Sequence, residues 1–386
     1  MLPPRSRLGL AGVVTLASLV LSPAGASMAA ETTPRLGSHT MIGPQTPAAD
    51  VDAVFRLSRA ARLGTVRADV LAAWIFPRAA EQPEWETLDT LRAAARTHRL
   101  DVLGVLGGTP WWNARCPAWA EHFYRCPPND EAAWARMVEQ IAARAPEIRF
   151  WEVLNEANLV NPVSGRGEYF YGSAQDYARL LLVTSAAIRR GNPAAKVVFT
   201  SLYEPYDAWL GEVLAQPGAV RAFDIANAHF RGGVDKLGRM VQVARAAYAS
   251  HGFRGPLWVT EMGYPSSQTF QYDRSFYGED HLGAQVAQAR YMRRGVRRIL
   301  RSGARRVFVT LRDLEHGWGM FTSEGIVEWP GGRPKPAYHV VRRLGCGLLR
   351  RALLRRYRRF GRALTRTTRE RPGTCAPPSR ASTTTR

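Results

Sequence analysis

The sequence predicts an α/β fold, a (β/α)8 TIM barrel made by a single domain with a basic C-terminal tail. Three observations lead there. From Pro34 onward, apolar β-type runs alternate with Ala-, Arg- and Leu-rich helical runs. Most of the strand-like runs are continuously apolar, as expected of parallel strands covered on both faces. Eight strand–helix pairs fit into about 310 residues, a length that suits such a barrel. A doubly wound open sheet is the competing layout, but no Gly-rich phosphate fingerprint follows the first strand.

The strands read in order as RLGSHTMI from Arg35, LGTVRAD from Leu63, DVLGVLGG from Asp101 and IRFWEVLNE from Ile148, then KVVFTSLY from Lys196, AFDIANAHF from Ala222, PLWVTEMGY from Pro256 and RVFVTLRD from Arg306. Between them, PEWETLDTLRAAARTHRL opens with Pro and acids and closes with bases, which suits the helix dipole. EAAWARMVEQIAARA precedes the fourth strand. The run from Ala174 stops at Gly191-Asn192-Pro193, and the run from Leu282 stops at Gly303. KPAYHVVRRL supplies the last helix.

Residues 1–30 read as a secretory signal peptide. Arg5 and Arg7 precede the apolar run Leu8 to Leu21, and small residues offer cleavage after Ala26 or Ala30. An uncleaved anchor is the alternative reading. Residues 34–344 are the barrel, and 345–386 form a basic, partly disordered tail. The expected location is outside the cytoplasm, secreted or at the cell surface. Cys116 and Cys126 bracket a short loop and are expected to form a disulfide in that oxidising setting. Cys346 and Cys375 could pair with each other. No CxxC occurs and no zinc spacing is present, so no metal and no cofactor are expected.

The formal charge of +21 is uneven. Residues 342–386 hold 14 arginines against Glu370 alone, and the body between signal and tail carries only +6. The tail therefore suits an anionic cell-wall polymer or a membrane surface, while export argues against nucleic acid as the natural partner.

In such a barrel, chemistry sits at the C-terminal ends of the strands. The fourth strand ends in VLNEAN with Glu156, and the seventh contains WVTEMGY with Glu261. A pair of carboxylates facing one cleft suits glycosidic bond hydrolysis, one as acid and one as nucleophile. The plain alternative is a helix cap or an Arg partner for each.

WEVLNEAN and LWVTEMGY resemble the strand-four and strand-seven motifs of the retaining glycoside hydrolases of clan A, most of all family 39. The resemblance covers Pro34 to Leu344 and includes GRPKPAYHVVRRL. It implies Glu156 as general acid/base and Glu261 as nucleophile. It also implies Asn155 as the amide on the sugar 2-hydroxyl, Arg67 as the cation beside the nucleophile, and His229 as a cleft histidine. A carbohydrate substrate follows. Trp74, Trp111, Trp112, Tyr264 and Trp318 lie after strand ends and are candidates for sugar platforms.

Two positions depart from the family pattern. Arg231 stands where a Tyr is usual after the strand-six His, and Leu311-Arg312-Asp313 replaces an aromatic end to strand eight. Arg231 and Arg312 would suit an acidic sugar. Besides a secreted retaining glycosidase, two readings stay open: a catalytically silent carbohydrate-binding barrel, and a surface adhesion protein acting through the tail.

Overall fold

The computed structural model describes residues 35–204, 206–267, 285–314 and 322–360. The signal segment, Trp318, Cys375 and the tail from residue 361 lie outside these.

All eight expected strands are present: β1 (Arg35–His39), β2 (Thr65–Leu71), β3 (Asp101–Gly107), β4 (Phe150–Val153), β5 (Lys196–Val198), β6 (Ala226–His229), β7 (Leu257–Met262) and β8 (Arg306–Thr310). They form one parallel sheet in the order β5-β4-β3-β2-β1-β8-β7-β6. Parallel bridges Val198–Ile225 and Leu202–Ala228 join the last two edges and close the barrel. The principal helices are α1 (Ala48–Ala60), α2 (Ala72–Ile75), α3 (Glu86–His98), α4 (Glu131–Arg144), α5 (Ala174–Gly191), α6 (Asp207–Leu214), α7 (Val234–Ser250), α8 (Gln285–Arg301) and α9 (Pro336–Phe360). The expected TIM barrel is the fold observed.

Local chemistry explains the element ends. Asp130 caps α4 by accepting from the amides of Ala132 and Ala133. Ser173 and Asp176 form a reciprocal capping box at α5. In α3, Glu86 and Asp89 occupy the first turn and Arg96 and His98 the last, matching the dipole.

The strands bury both faces. Val66, Val102, Trp151, Val197 and Val259 belong to the large outer core, while Leu103, Phe150, Val198, Ile225, Trp258 and Phe308 form a separate cluster. Those two faces explain why the strands read as unbroken apolar runs. Arg306 is buried beside the smaller cluster. Its guanidinium lies 4.0 Å from the Trp258 ring centre and 5.0 Å from that of Phe150, and it donates to Thr65 Oγ1.

Two outcomes bear on the tail and the loops. Helix α9 runs from Pro336 to Phe360 without a break at 344, so the first part of the basic tail is a direct extension of the barrel's last helix. The Cys116–Cys126 disulfide is formed, with Cα atoms 5.2 Å apart, in the connection between β3 and α4.

Gly104 tests the packing between β3 and β4. A Cβ there would sit 2.7 Å from Trp151 Cζ3, a ring with no exposed surface. Gly104→Ala should lower stability by about 1–3 kcal/mol through overpacking, read as a shifted denaturant midpoint at unchanged m.

Candidate active site

The C-terminal ends of the strands carry one connected network of buried polar side chains. It begins with Arg67, third residue of β2 and 1% exposed. Its Nε and Nη2 donate to the two oxygens of Glu152 on β4, each at 2.8 Å. Nη2 also donates to Asn155 Oδ1 at 2.7 Å, and Nη1 donates to Glu261 Oε1 at 2.8 Å. The same Nη1 lies 2.9 Å from His39 Nδ1, at the end of β1. One guanidinium thus ties β1, β2, β4 and β7 together.

Glu261 is gripped on both oxygens. Arg67 holds Oε1, and Arg231 Nη2 donates to Oε2 at 2.9 Å. Arg231 in turn donates from Nε to Glu324 Oε1 at 3.0 Å and from Nη2 to Oε2 at 3.1 Å. Thr310 Oγ1 donates to the same Oε2 at 2.9 Å. Gly263 leaves the space that Glu324 fills, since a Cβ there would overlap its carboxylate. Burial alone would raise the Glu261 pKa, but His229, His39, Arg231 and Arg67 outweigh it and hold the carboxyl well below the usual range. Burial pushes His39 itself down to about 3, so its charge bears on Glu261 only at acid pH, whereas the guanidiniums of Arg67 and Arg231 stay charged.

Glu156 sits in a different setting. Its Oε1 is 2.6 Å from His229 Nδ1, and His229 Nε2 is 3.0 Å from Thr260 Oγ1. Thr260 donates its hydroxyl hydrogen to Asn227 Oδ1 at 2.9 Å, so Thr260 must accept from His229 Nε2–H. That network assigns the tautomer and leaves one proton between His229 Nδ1 and Glu156. One oxygen of Glu156, one ring nitrogen of His229 and one oxygen of Glu261 all lie within 4.8 Å of one another. A metal ion could span such a set, but both oxygens of Glu261 already face guanidiniums whose charge opposes a cation.

The backbone that presents Glu156 is unusual. Leu154 and Glu156 both have positive φ, 63° and 40°, a conformation L-residues seldom adopt. Three contacts hold the turn: Leu154 N to Leu106 O at 2.9 Å, Glu156 N to Ser201 Oγ at 3.0 Å, and Ala157 N to Thr200 Oγ1 at 3.1 Å. Between the two strained residues, Asn155 Oδ1 accepts from Arg67 and, at 3.3 Å, from Ser201 Oγ. Its Nδ2 has no partner among the described residues and remains a free donor. On the far side, the register between β6 and β7 shifts at Ala228/His229, and His229 pairs with Glu261. Such irregularities re-aim side chains beside active sites.

The structure therefore joins Glu156, Glu261, Asn155, Arg67 and His229 in one network. The aromatics stand apart from it. Trp111 is 63% exposed, with its indole N–H on the Pro77 carbonyl, and Trp112 is half-buried with its own on Phe76. Tyr264 is a correction: it is buried, its ring 4.6 Å from that of Tyr291, and shows no face to a sugar. Trp318 lies outside the described residues. The acidic-sugar reading loses Arg231. Arg231 is committed to Glu261 and Glu324. Arg312 donates to the Met41 carbonyl at 2.7 Å and lies over Trp329.

His39, Glu152, Glu324 and Tyr169 belong to the site but were not singled out in the sequence. His39 ends a strand, the same signal that marks Glu156. Glu152 is an acid inside an apolar run, a signal that was available. Glu324 lies in a loop with no local pattern. Burial, and then the charges of Glu156 and Glu261, push the Tyr169 phenol upward.

No family model matches this chain, and no curated protein sequence does. Solved structures resemble it. A family 39 glycoside hydrolase from Bacteroides cellulosilyticus WH2 superposes with a TM-score of 0.59 at 18% identity, over 83% of this chain and 65% of that one. A GH5_18 protein from Streptomyces cattleya, in complex with GlcNAc, gives 0.60 at 18% identity, over 83% and 80%. An exo-β-1,4-mannosidase from Opitutaceae bacterium strain TAV5 gives 0.61 at 16% identity, over 83% and 60%. The chain thus spans less than two thirds of the first and third of these. At such identities the likeness establishes a shared barrel architecture.

His39 makes the site's electrostatics measurable. Its unfolded form takes a proton near pH 6.5 and its folded form only near pH 3, so the unfolded state binds more protons between them. Stability contributed at neutral pH is lost as pH falls below 6.5. Between pH 6.5 and 5 the loss from this group should be about 2 kcal/mol. Denaturant unfolding at both pH values should show that slope in the wild type and a shallower one in His39→Gln.

Proposed function

We propose that this protein is an exported retaining glycosidase that cleaves O-glycosidic bonds of an oligosaccharide or polysaccharide by double displacement. One observation supports this above all: two buried carboxylates face each other across a short gap in opposite electrostatic settings. Glu261 lies between two guanidiniums and Glu156 shares a proton with His229. Retaining enzymes place these groups about 5–5.5 Å apart, whereas inverting enzymes leave room for a water between them. Oxygens within 4.8 Å favour the former.

The steps follow from the residues. Glu261 attacks the anomeric carbon while Glu156 protonates the departing glycosidic oxygen. This forms a glycosyl-enzyme ester and releases the leaving group as an alcohol. Once Glu261 is esterified its negative charge is gone, and Glu156, now a carboxylate, removes a proton from water. That water attacks the same carbon, the ester breaks, and Glu261 leaves as a carboxylate. The free Nδ2 of Asn155 donates to the sugar 2-hydroxyl.

The solved structures with the same fold include one bound to GlcNAc and an exo-β-1,4-mannosidase, so β-mannosides and GlcNAc-containing disaccharides belong in the first substrate panel. A catalytically silent sugar-binding barrel would leave the same panel untouched. Glu261→Ala should abolish turnover of every substrate. Glu156→Gln should lower kcat about 10²–10⁴-fold on a poor leaving group. The loss should be far smaller on a dinitrophenyl glycoside, which departs without protonation. Trapping with a 2-fluoro sugar should label the peptide that contains Glu261. Equal turnover by wild type and Glu261→Ala would reject the assignment.

A further inference from the structure

A second charged feature lies outside the barrel mouth. Helices α7 and α8 flank a concave groove of about 520 Å³ lined by Arg239 from α7 and Arg293, Arg294, Arg297, Arg298 and Arg301 from α8. Among the described residues, Asp235 is the single acid in its wall, and none of the lining residues is aromatic. Helix α8 carries six arginines and no acidic residue, a number equal to the net charge of the whole body between signal and tail. Gly238 on α7 opens the floor: a Cβ there would come 3.1 Å from Arg298 Nε. Arg239, Arg293, Arg297, Arg298 and Arg301 are exposed and have no carboxylate partner among the described residues.

This arrangement works against helix stability. Arg293, Arg297 and Arg301 are spaced i,i+4, and like charges at that spacing destabilise a helix. The same spacing sets their Cα atoms about 6 Å apart along the axis, close to the repeat of a chain carrying one acid per sugar ring. Guanidinium forks match carboxylates in a bidentate manner. A concave wall accepts a chain better than it accepts a flat bilayer. Its described lining residues offer no stacking platform for nucleic acid bases.

We propose that the groove between α7 and α8 docks a linear acidic polysaccharide through its carboxylates, away from the catalytic carboxylates. Binding here does not depend on turnover, so it can be measured whether or not the glycosidase reading holds.

The test uses the full chain and fluorescently labelled polygalacturonate, followed by anisotropy at physiological ionic strength. Arg293→Gln/Arg297→Gln/Arg301→Gln should weaken binding about tenfold or more with Tm equal or slightly raised, because the like-charge spacing is relieved. The Lys triple variant keeps the charge but loses the forks and should fall between the two. If the Gln variant fails to fold, the Lys variant decides: weaker binding than wild type supports the site, and equal binding overturns it. Arg350→Gln/Arg351→Gln on α9, measured in parallel, should have a smaller effect. Wild-type affinity in the Gln variant would overturn the proposal. So would a full loss in the α9 variant, or tighter binding of single-stranded DNA or phosphatidylserine vesicles than of polygalacturonate.

Discussion

The guanidinium of Arg67 is the interaction on which the active end of the barrel depends. It is buried, and a buried charge is tolerated only when its hydrogen-bonding capacity is met. Glu152, Asn155, Glu261 and His39 meet it, and those partners come from three different strands or their ends. Removing the Arg would leave Glu152 and Glu261 as neighbouring buried carboxylates. Breaking a pair of that kind costs about 3–5 kcal/mol. The residue that fixes the Glu261 carboxylate also ties the staves of the barrel together.

Arg231 performs a related task by a different route. The sequence comparison singled it out as a departure from the usual Tyr. A Tyr there would offer Glu261 one neutral hydrogen bond. Arg231 offers a charge, and Glu324, buried behind it, compensates that charge. Glu261 is therefore bracketed by two ion pairs, Arg67–Glu152 and Arg231–Glu324. Each pair leaves guanidinium hydrogens for Glu261. This symmetry explains how several acids and bases coexist in a space closed to solvent.

Much of this was legible in the sequence because parallel strands in a closed barrel are apolar on both faces. Runs such as VLGVLG and VFVTL have no other simple reading. Glu156 and Glu261 were legible because a carboxylate that ends such a run stands out. His39 ends β1 in the same manner, but GSH is short and polar, so the signal was weaker. Glu152 was hidden by its setting: FWEV reads as a strand, and only the pairing with Arg67 shows that its acid is satisfied there. Glu324 could not be found locally, because its partners are 93 and 14 residues away. Tyr264 was assigned to the cleft from its position after a strand, but position along the chain does not fix the direction in which a ring turns.

The left-handed residues Leu154 and Glu156 have a consequence for how such a protein would respond to selection. Non-glycine residues in sparsely populated backbone regions cost about 1–3 kcal/mol each. Glycine at position 156 would relieve that strain while deleting the carboxylate. A population screened only for survival of heating would be drawn toward loss of the carboxylate at this position. Durability and chemistry compete for one residue, and any effort to harden the barrel must hold position 156 constant while it searches elsewhere.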